Sequence, residues 1–95
     1  MILQKDGFAF CFLSMSPVRA EAKDESEIVT QLLFGEPVKV IKLYENWAQI
    51  ASSIDGYMGY IDPKQILALS RNEFDNWMDE YTYLTDPYTT IKTKN

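Results

Sequence analysis

The residue types that usually carry catalysis are scarce in this sequence. The chain of 95 residues contains no histidine, which removes the commonest general base, the commonest metal ligand and every Ser-His or Cys-His pair. Its single cysteine, Cys11, lies in the apolar run Phe8-Ala-Phe-Cys-Phe-Leu13, where we expect it to pack as a small hydrophobic residue. One cysteine also forms no internal disulfide and no structural zinc site. We therefore predict no catalytic residues, no metal and no cofactor, and a chain that is not an enzyme by itself.

The chemistry that remains is that of carboxylates and aromatic rings. Fourteen acidic residues against nine basic ones give a net charge of −5. Because binding to nucleic acid and to anionic membrane surfaces depends on Lys and Arg, we expect neither partner, and no segment is long enough for membrane insertion. The densest charge is Glu21-Ala-Lys-Asp-Glu-Ser-Glu27. This stretch is either a solvated loop or a loop in which one carboxylate binds the amine of a ligand.

Short apolar or alternating segments predict that strands position these residues. They are separated by turn signals such as Ser16-Pro17 and favour a mainly β fold, a small barrel of five or six short strands. In one segment Ile41 and Leu43 break the alternation of Val38 and Val40, which indicates a bulge or a strand partly buried on both faces. The segments lie at about residues 8–14, 28–33, 37–44, 47–52, 57–61 and 66–69.

The pattern changes to that of a helix after Leu69. Ser70-Arg-Asn-Glu73 is a capping box, and Asp86-Pro87 is a stop signal. We predict a barrel over residues 1–69, a connector helix over 70–85, and a linker or tail over 86–95 that leads to a missing domain. The apolar face of the helix is expected to be an interface; if it packs on the barrel the chain is self-contained, and if it is exposed it marks contact with another domain. This face comprises Phe74, Trp77, Met78 and Tyr81.

The segment Val29-Thr-Gln-Leu-Leu-Phe-Gly-Glu36 is too apolar for an ordinary surface loop. We expect at least one of Leu33 and Phe34 to close the core of the barrel at the glycine turn.

Several motifs together resemble the bacterial SH3-like (SH3b) domain at the N-terminus of NlpC-type cell-wall cysteine peptidases. The similarity covers roughly residues 8 to 69, and the order and spacing of its motifs are fairly specific. They are Pro17-Val-Arg-Ala-Glu21, Ser26-Glu27, Val29–Glu36, Trp47 and Asp55-Gly-Tyr-Met-Gly-Tyr-Ile61.

This resemblance implies a non-catalytic role, because the cysteine and histidines of the family's catalytic domain have no counterpart here. In the subgroup that trims muropeptides at the D-glutamyl–diaminopimelate bond, the first SH3-like domain packs against the catalytic peptidase domain of the same parent chain. It narrows the substrate cleft and recognises the free N-terminal L-Ala of the peptidoglycan stem peptide through an acidic and a tyrosine side chain. The matching positions are Glu21 and Tyr57, and Tyr60 stands where the family often has tryptophan.

Other interpretations remain open at this point. Glu21 can be one more acid of a solvated loop, and Tyr57 can be a core aromatic. The domain can also be an independent targeting module that binds peptidoglycan or a protein without a catalytic partner. Polyproline binding is disfavoured, since Trp47 stands alone and the acidic loop has no aromatic cluster. With no signal peptide visible we expect a cytoplasmic protein, or a periplasmic or exported one if a leader has been removed.

Overall fold

The computed structural model describes residues 2–54 and 56–85, in which seven strands precede one helix. A short 3-10 turn at Pro63–Gln65 comes before the last strand. The predicted linker or tail at 86–95 and the predicted stop at Asp86-Pro87 lie outside the described residues. The strands are β1 (Phe8–Cys11), β2 (Met15–Arg19), β3 (Ile28–Leu33), β4 (Pro37–Leu43), β5 (Ala48–Ser52), β6 (Met58–Ile61) and β7 (Ile66–Leu69), and the helix α1 spans Arg71–Thr85.

All seven strands belong to one antiparallel sheet in the order β3-β2-β6-β5-β4-β1-β7. Every strand contributes to a single core, so the sheet curls around it instead of lying flat. The mainly β, SH3-like fold with one C-terminal helix is thereby confirmed. Among the described residues, no helix is both long and apolar enough to cross a membrane. The core is formed by Ala9, Cys11, Val18, Leu32, Val38, Val40, Ala48, Ile50, Ile61 and Ile66.

The strand that the sequence did not predict is β2, where Ser16-Pro17 was interpreted as a turn. Pro17 has no backbone N–H, and a proline is tolerated in a strand only where the ladder needs no donor at that position. Here Pro17 is paired with Gln31 of β3, while on its other side β2 pairs with β6 only at Arg19. Most of one edge of β2 is therefore not paired with β6, and the proline fits there.

The break in alternation within β4 is a bulge. The register between β4 and β5 shifts between Val40 and Lys42, as the positions of Ile41 and Leu43 predicted. The bulge lets Val38 and Val40 fill the core while the strand continues to Leu43 on a changed face.

The expectation that Leu33 or Phe34 closes the core was wrong. Leu32 is the buried residue of this segment, whereas Leu33 and Phe34 are 57% and 65% exposed. Strand alternation explains Leu33, since it follows an inward residue. Phe34 lies beyond the strand in the turn before Gly35, whose φ of 84° lies in the left-handed region.

The helix begins as the capping box predicted. Ser70 N donates to Glu73 Oε1 at 2.8 Å, and Glu73 N donates to Ser70 Oγ at 3.1 Å. These two bonds satisfy backbone donors that the first turn of a helix leaves without partners. The capping bonds therefore fix the start of α1 at Arg71, with only Ser70 between the helix and the end of β7 at Leu69.

The aromatic face of α1 packs on the barrel. The Phe74 ring stacks on Phe8 with centroids 4.0 Å apart, and the Trp77 ring centroid lies 4.3 Å from that of Phe10. Trp77 Nε1 also donates to the carbonyl of Gly35 at 2.6 Å. Barrel and helix therefore form one unit. Whether the face also contacts another domain stays a prediction, as do the domain boundaries.

Candidate functional site

The acidic loop between β2 and β3 is held by its own backbone and by one buried serine. Ser26 Oγ accepts from Glu21 N at 2.9 Å, and the carbonyl of Ser26 accepts from Arg19 Nη1 at 3.0 Å. At the base of the loop Ala20 N donates to the carbonyl of Glu27 at 2.8 Å. Arg19 therefore binds the loop backbone. The sequence shows an arginine at position 19, but it does not show that this arginine donates a hydrogen bond to a backbone carbonyl.

The Glu21 carboxylate projects from this fixed backbone into solvent. Its side chain is 68% exposed, and Lys23 Nζ lies 3.8 Å from Glu21 Oε1. An ion pair at that distance between two exposed groups is weak and easily exchanged for another cation. Glu21 is thus positioned by its backbone while its charge remains accessible to a ligand.

A pair of tyrosines shares this surface with Glu21. Tyr60 on β6 lies opposite Arg19 of β2, and its ring centroid is 6.0 Å from that of Tyr44 at an angle of 50°. Partial burial raises the pKa of the Tyr60 hydroxyl, and the neighbouring Tyr44 and the negative charge of Glu21 raise that pKa further. Tyr60 is paired with Arg19, two residues before Glu21, so the pairing of β2 with β6 brings this tyrosine to the start of the acidic loop. The hydrogen bond with Tyr44 favours the protonated form of Tyr60, so the hydroxyl keeps its proton and is engaged with Tyr44.

The close approach of β2 and β6 depends on Gly59. A Cβ at this position would lie 2.5 Å from Val18 Cγ1 and 2.8 Å from the carbonyl oxygen of Arg19. Only glycine leaves enough room, so Tyr60 is brought beside the start of the acidic loop by the residue that precedes it.

Tyr57 lies outside the barrel core. It is 55% exposed just before β6, and its carbonyl accepts from Ser52 N at 2.8 Å. The interpretation of Tyr57 as a core aromatic is therefore wrong. In the strand that follows, Gly59 and Ile61 are buried and Tyr60 lies on the alternate face. The structure relates Glu21 to Tyr60, and a joint site of Glu21 with Tyr57 stays a prediction.

The groups of this surface that can meet a ligand are a carboxylate and two tyrosines. Cys11 is fully buried, with its Sγ 3.4 Å from Ser16 Oγ, so the only thiol in the sequence is inaccessible. Within the described part of the chain, no group of three or more His, Cys, Asp or Glu residues is arranged to hold a metal ion. An exposed carboxylate beside two tyrosines suits an ammonium group, which donates a charge-assisted hydrogen bond to the carboxylate and contacts the rings.

Sequence reasoning missed Tyr44 and did not place Tyr60 near the acidic loop. Tyr60 was noted only as a position where the family often has tryptophan, and its proximity to the loop depends on the pairing of β2 with β6. That pairing was hidden because β2 had been interpreted as a turn. The strand alternation around Tyr60 was a signal in the sequence, because a residue next to the apolar Ile61 faces the opposite side of a strand.

Fold and surface together define a bacterial SH3-like domain. Residues 18–66 match the family model described as the bacterial dipeptidyl-peptidase SH3 domain, and the match covers just over half of the chain. The chain therefore belongs to that family. Domains of this kind are non-catalytic modules of peptidase-type proteins. Comparison with curated proteins found no match to this chain.

Proposed function

We propose that this domain is the substrate-recognition module of a cell-wall peptidase and that it binds the free N-terminal L-Ala of peptidoglycan stem peptides. The catalytic domain belongs to the parent protein, of the NlpC type, and cleaves a γ-D-glutamyl–diamino acid bond. The SH3-like module lies at the substrate end of that active site and narrows the cleft. Muropeptides with an unblocked L-Ala are admitted, and intact wall is excluded.

One observation carries the proposal: the Glu21 carboxylate is exposed on a loop whose backbone is fixed, and the pairing of Arg19 with Tyr60 brings a tyrosine to the start of that loop. In the proposed complex the alanine ammonium displaces Lys23 and forms a charge-assisted hydrogen bond with Glu21. The neighbouring rings of Tyr60 and Tyr44 contact the ammonium group, and Tyr57 supplies a further wall. Because the geometry exists before binding, little ordering entropy is lost.

A titration of the ¹⁵N-labelled chain tests this proposal. The ligands are L-Ala-γ-D-Glu-diaminopimelate with a free amine and the same peptide acetylated at its amine. The free peptide is expected to bind weakly, with Kd on the order of 1 mM, because one ion pair at an open surface contributes little. Its chemical-shift changes should centre on residues 20–27 and Tyr60. Equal shifts from the acetylated peptide would contradict the proposal, since acetylation removes the charge that Glu21 recognises.

The second candidate is an independent module that binds peptidoglycan or a protein without a catalytic partner. The packing of Phe74 and Trp77 on the barrel favours it, because this face of the helix is already partly covered within the chain. Sedimentation with purified sacculi separates the two functions. Tight retention on sacculi supports targeting, whereas the recognition module stays in the supernatant.

The compartment follows from the same proposal. A module that selects free muropeptides with an unblocked amine acts where those products accumulate, and we propose the cytoplasm. Periplasmic or exported activity is the alternative, and cell fractionation with an antibody against this domain distinguishes them.

A further inference from the structure

A concave site, separate from the Glu21 surface, lies between α1 and the turn that joins β3 to β4. It is an open cavity of about 650 Å³, which falls within the range of roughly 300 to 1,000 Å³ usual for ligand sites. None of its lining residues takes part in the proposed amine site. The walls that matter here are the apolar Phe34, Leu69, Trp77 and Tyr81 and the carboxylates Glu73 and Glu80.

The walls of this helix cavity are fixed before any ligand arrives. The Trp77 indole is held by its hydrogen bond to the carbonyl of Gly35 and by its contact with Phe10. Gly35 N in turn donates to the carbonyl of Cys11 at 2.7 Å, which anchors the turn to β1. Phe34 remains 65% exposed at the rim. An exposed ring beside a preformed apolar cavity is surface that a bound segment can cover.

Among the described residues that line the helix cavity, the charged ones are both acidic. Glu73 and Glu80 are seven residues apart, so they lie on one side of the helix about 10.5 Å apart along its axis. Glu73 Oε1 accepts from Ser70 N, a bond that lowers the pKa of the carboxyl and keeps it ionised. The helix sequence has four acidic residues and one basic residue, Arg71, which lies 3.4 Å from Asp75. A ligand that has an apolar centre and a positive charge at each end would complement the apolar walls and the two carboxylates of this cavity.

We propose that the helix cavity binds an extended peptide segment in which an aliphatic or aromatic residue is flanked on the same side by two basic residues. Residues i, i+2 and i+4 of an extended peptide share one face and span about 13 Å. The flexible arms of two lysines bridge from that span to Glu73 and Glu80, while the central side chain packs against Phe34 and Trp77. This inference does not depend on the amine site, because the two sites have no residue in common.

The indole N–H signal of Trp77 reports occupancy directly, since the chain has only two tryptophans and Trp47→Phe assigns the pair. The probe is acetyl-Lys-Ser-Leu-Ser-Lys-amide. Two matched peptides replace both lysines by glutamate or the leucine by serine. We expect saturable shifts of the Trp77 signal with the first peptide, and at least tenfold weaker binding of the other two. Equal binding of the glutamate peptide overturns the proposal, as does a Trp77 signal that does not move with the lysine peptide.

Two variants that each remove one negative charge then test the site. Glu80→Gln removes a carboxylate from the cavity, and Asp79→Asn removes its neighbour, which does not line the cavity. We expect Glu80→Gln to weaken the lysine peptide about threefold, as the loss of one exposed ion pair does, and Asp79→Asn to change it much less. Phe34→Ala, at an exposed position, should weaken binding about tenfold by removing apolar contact. Equal effects of Glu80→Gln and Asp79→Asn would show that only net charge attracts the peptide and would refute a specific site.

Discussion

Among single residues, the candidate site depends on the exposed carboxylate of Glu21 and on Tyr60, which β6 brings to the start of the same loop. The sequence singled out Glu21 through a motif that resembles those of bacterial SH3-like domains. It could not select Tyr60 over Tyr57, because both lie in one short motif and only the pairing of β2 with β6 separates their surroundings. A residue type is visible in a sequence, whereas its neighbour across the barrel is a product of the fold.

Glu21→Gln should lower the pKa of Tyr60 towards its ordinary value of about 10, because it removes a negative charge that opposes formation of the phenolate. Tyr44→Phe should lower it more, since Tyr44 acts through both charge and a hydrogen bond. The measurement is an NMR titration with ¹³C-labelled tyrosine. Glu25→Gln, a loop acid of the same type, is the control, and an equal effect of this variant would contradict the assigned neighbourhood.

Gly59→Ala should destabilise the domain by roughly 1 to 3 kcal/mol, the usual cost of overpacking, because its Cβ collides with Val18 and the Arg19 carbonyl. Gly56 gives the contrast: its φ is 76° and a Cβ there would meet no atom within 4 Å, so only its backbone conformation requires glycine. Asn tolerates that conformation, so Gly56→Asn should be milder than Gly56→Ala. At Gly59, Asn should be worse than Ala. Urea denaturation measures the stability of the Ala and Asn variants at both glycines. If Asn were the milder substitution at Gly59 as well as at Gly56, the close approach of β2 and β6 would be contradicted.

Among the strands and the helix, features set by neighbouring residues in the sequence were predictable, whereas the pairing of strands was not. The capping box at Ser70 and the bulge in β4 follow from neighbouring residues, and both are present. β2 was missed because Pro17 normally argues against a strand, and its tolerance depends on how little of β2 pairs with β6. The packing of α1 was left open by the sequence, since its apolar face fits either the barrel or another domain.

Trp77→Phe should loosen the helix from the barrel. The variant keeps an aromatic ring against Phe10 but loses the hydrogen bond to the Gly35 carbonyl, which costs about 1 kcal/mol. Hydrogen exchange should accelerate in the backbone of α1 more than in β4 and β5. Trp47→Phe is the matched control, and unchanged exchange in α1 of the Trp77 variant would show that the bond does not hold the helix.

Ser70→Ala should reduce the free energy of unfolding by about 1 kcal/mol through loss of the helix cap. The cap also makes stability depend on acid pH. The pKa of Glu73 is lowered in the folded state by the Ser70 backbone N–H and then by its hydroxyl. Its contribution is therefore full above the ordinary value of about 4.3 and is lost as the pH falls through the folded value.

Denaturation of the wild type and of Glu73→Gln across this range checks the sign of that dependence. The stability difference between the two proteins should shrink as the pH falls. A difference that grows towards acid pH would contradict the assigned cap.

As a whole, the chain is a small barrel with a helix packed on it and two separate surfaces suited to binding. The fold class was predictable because strand segments, turn signals and family motifs agree. The apolar corner Leu32-Leu33-Phe34 was only partly predictable: Leu32 enters the core, while Leu33 and Phe34 remain on the surface. Alternation fixes Leu33, but the exposure of Phe34 depends on where α1 lies, and this is a tertiary property.

A binding cycle at Glu21 decides whether this carboxylate recognises the free amine of the stem peptide, on which the proposed function depends. Affinities of the free and the acetylated L-Ala-γ-D-Glu-diaminopimelate peptides are compared for the wild type, Glu21→Gln and Glu25→Gln. We expect the preference for the free amine to be lost in Glu21→Gln and retained in Glu25→Gln. A preference that survives in Glu21→Gln contradicts the proposed function, because the carboxylate would then not be the group that binds the ammonium.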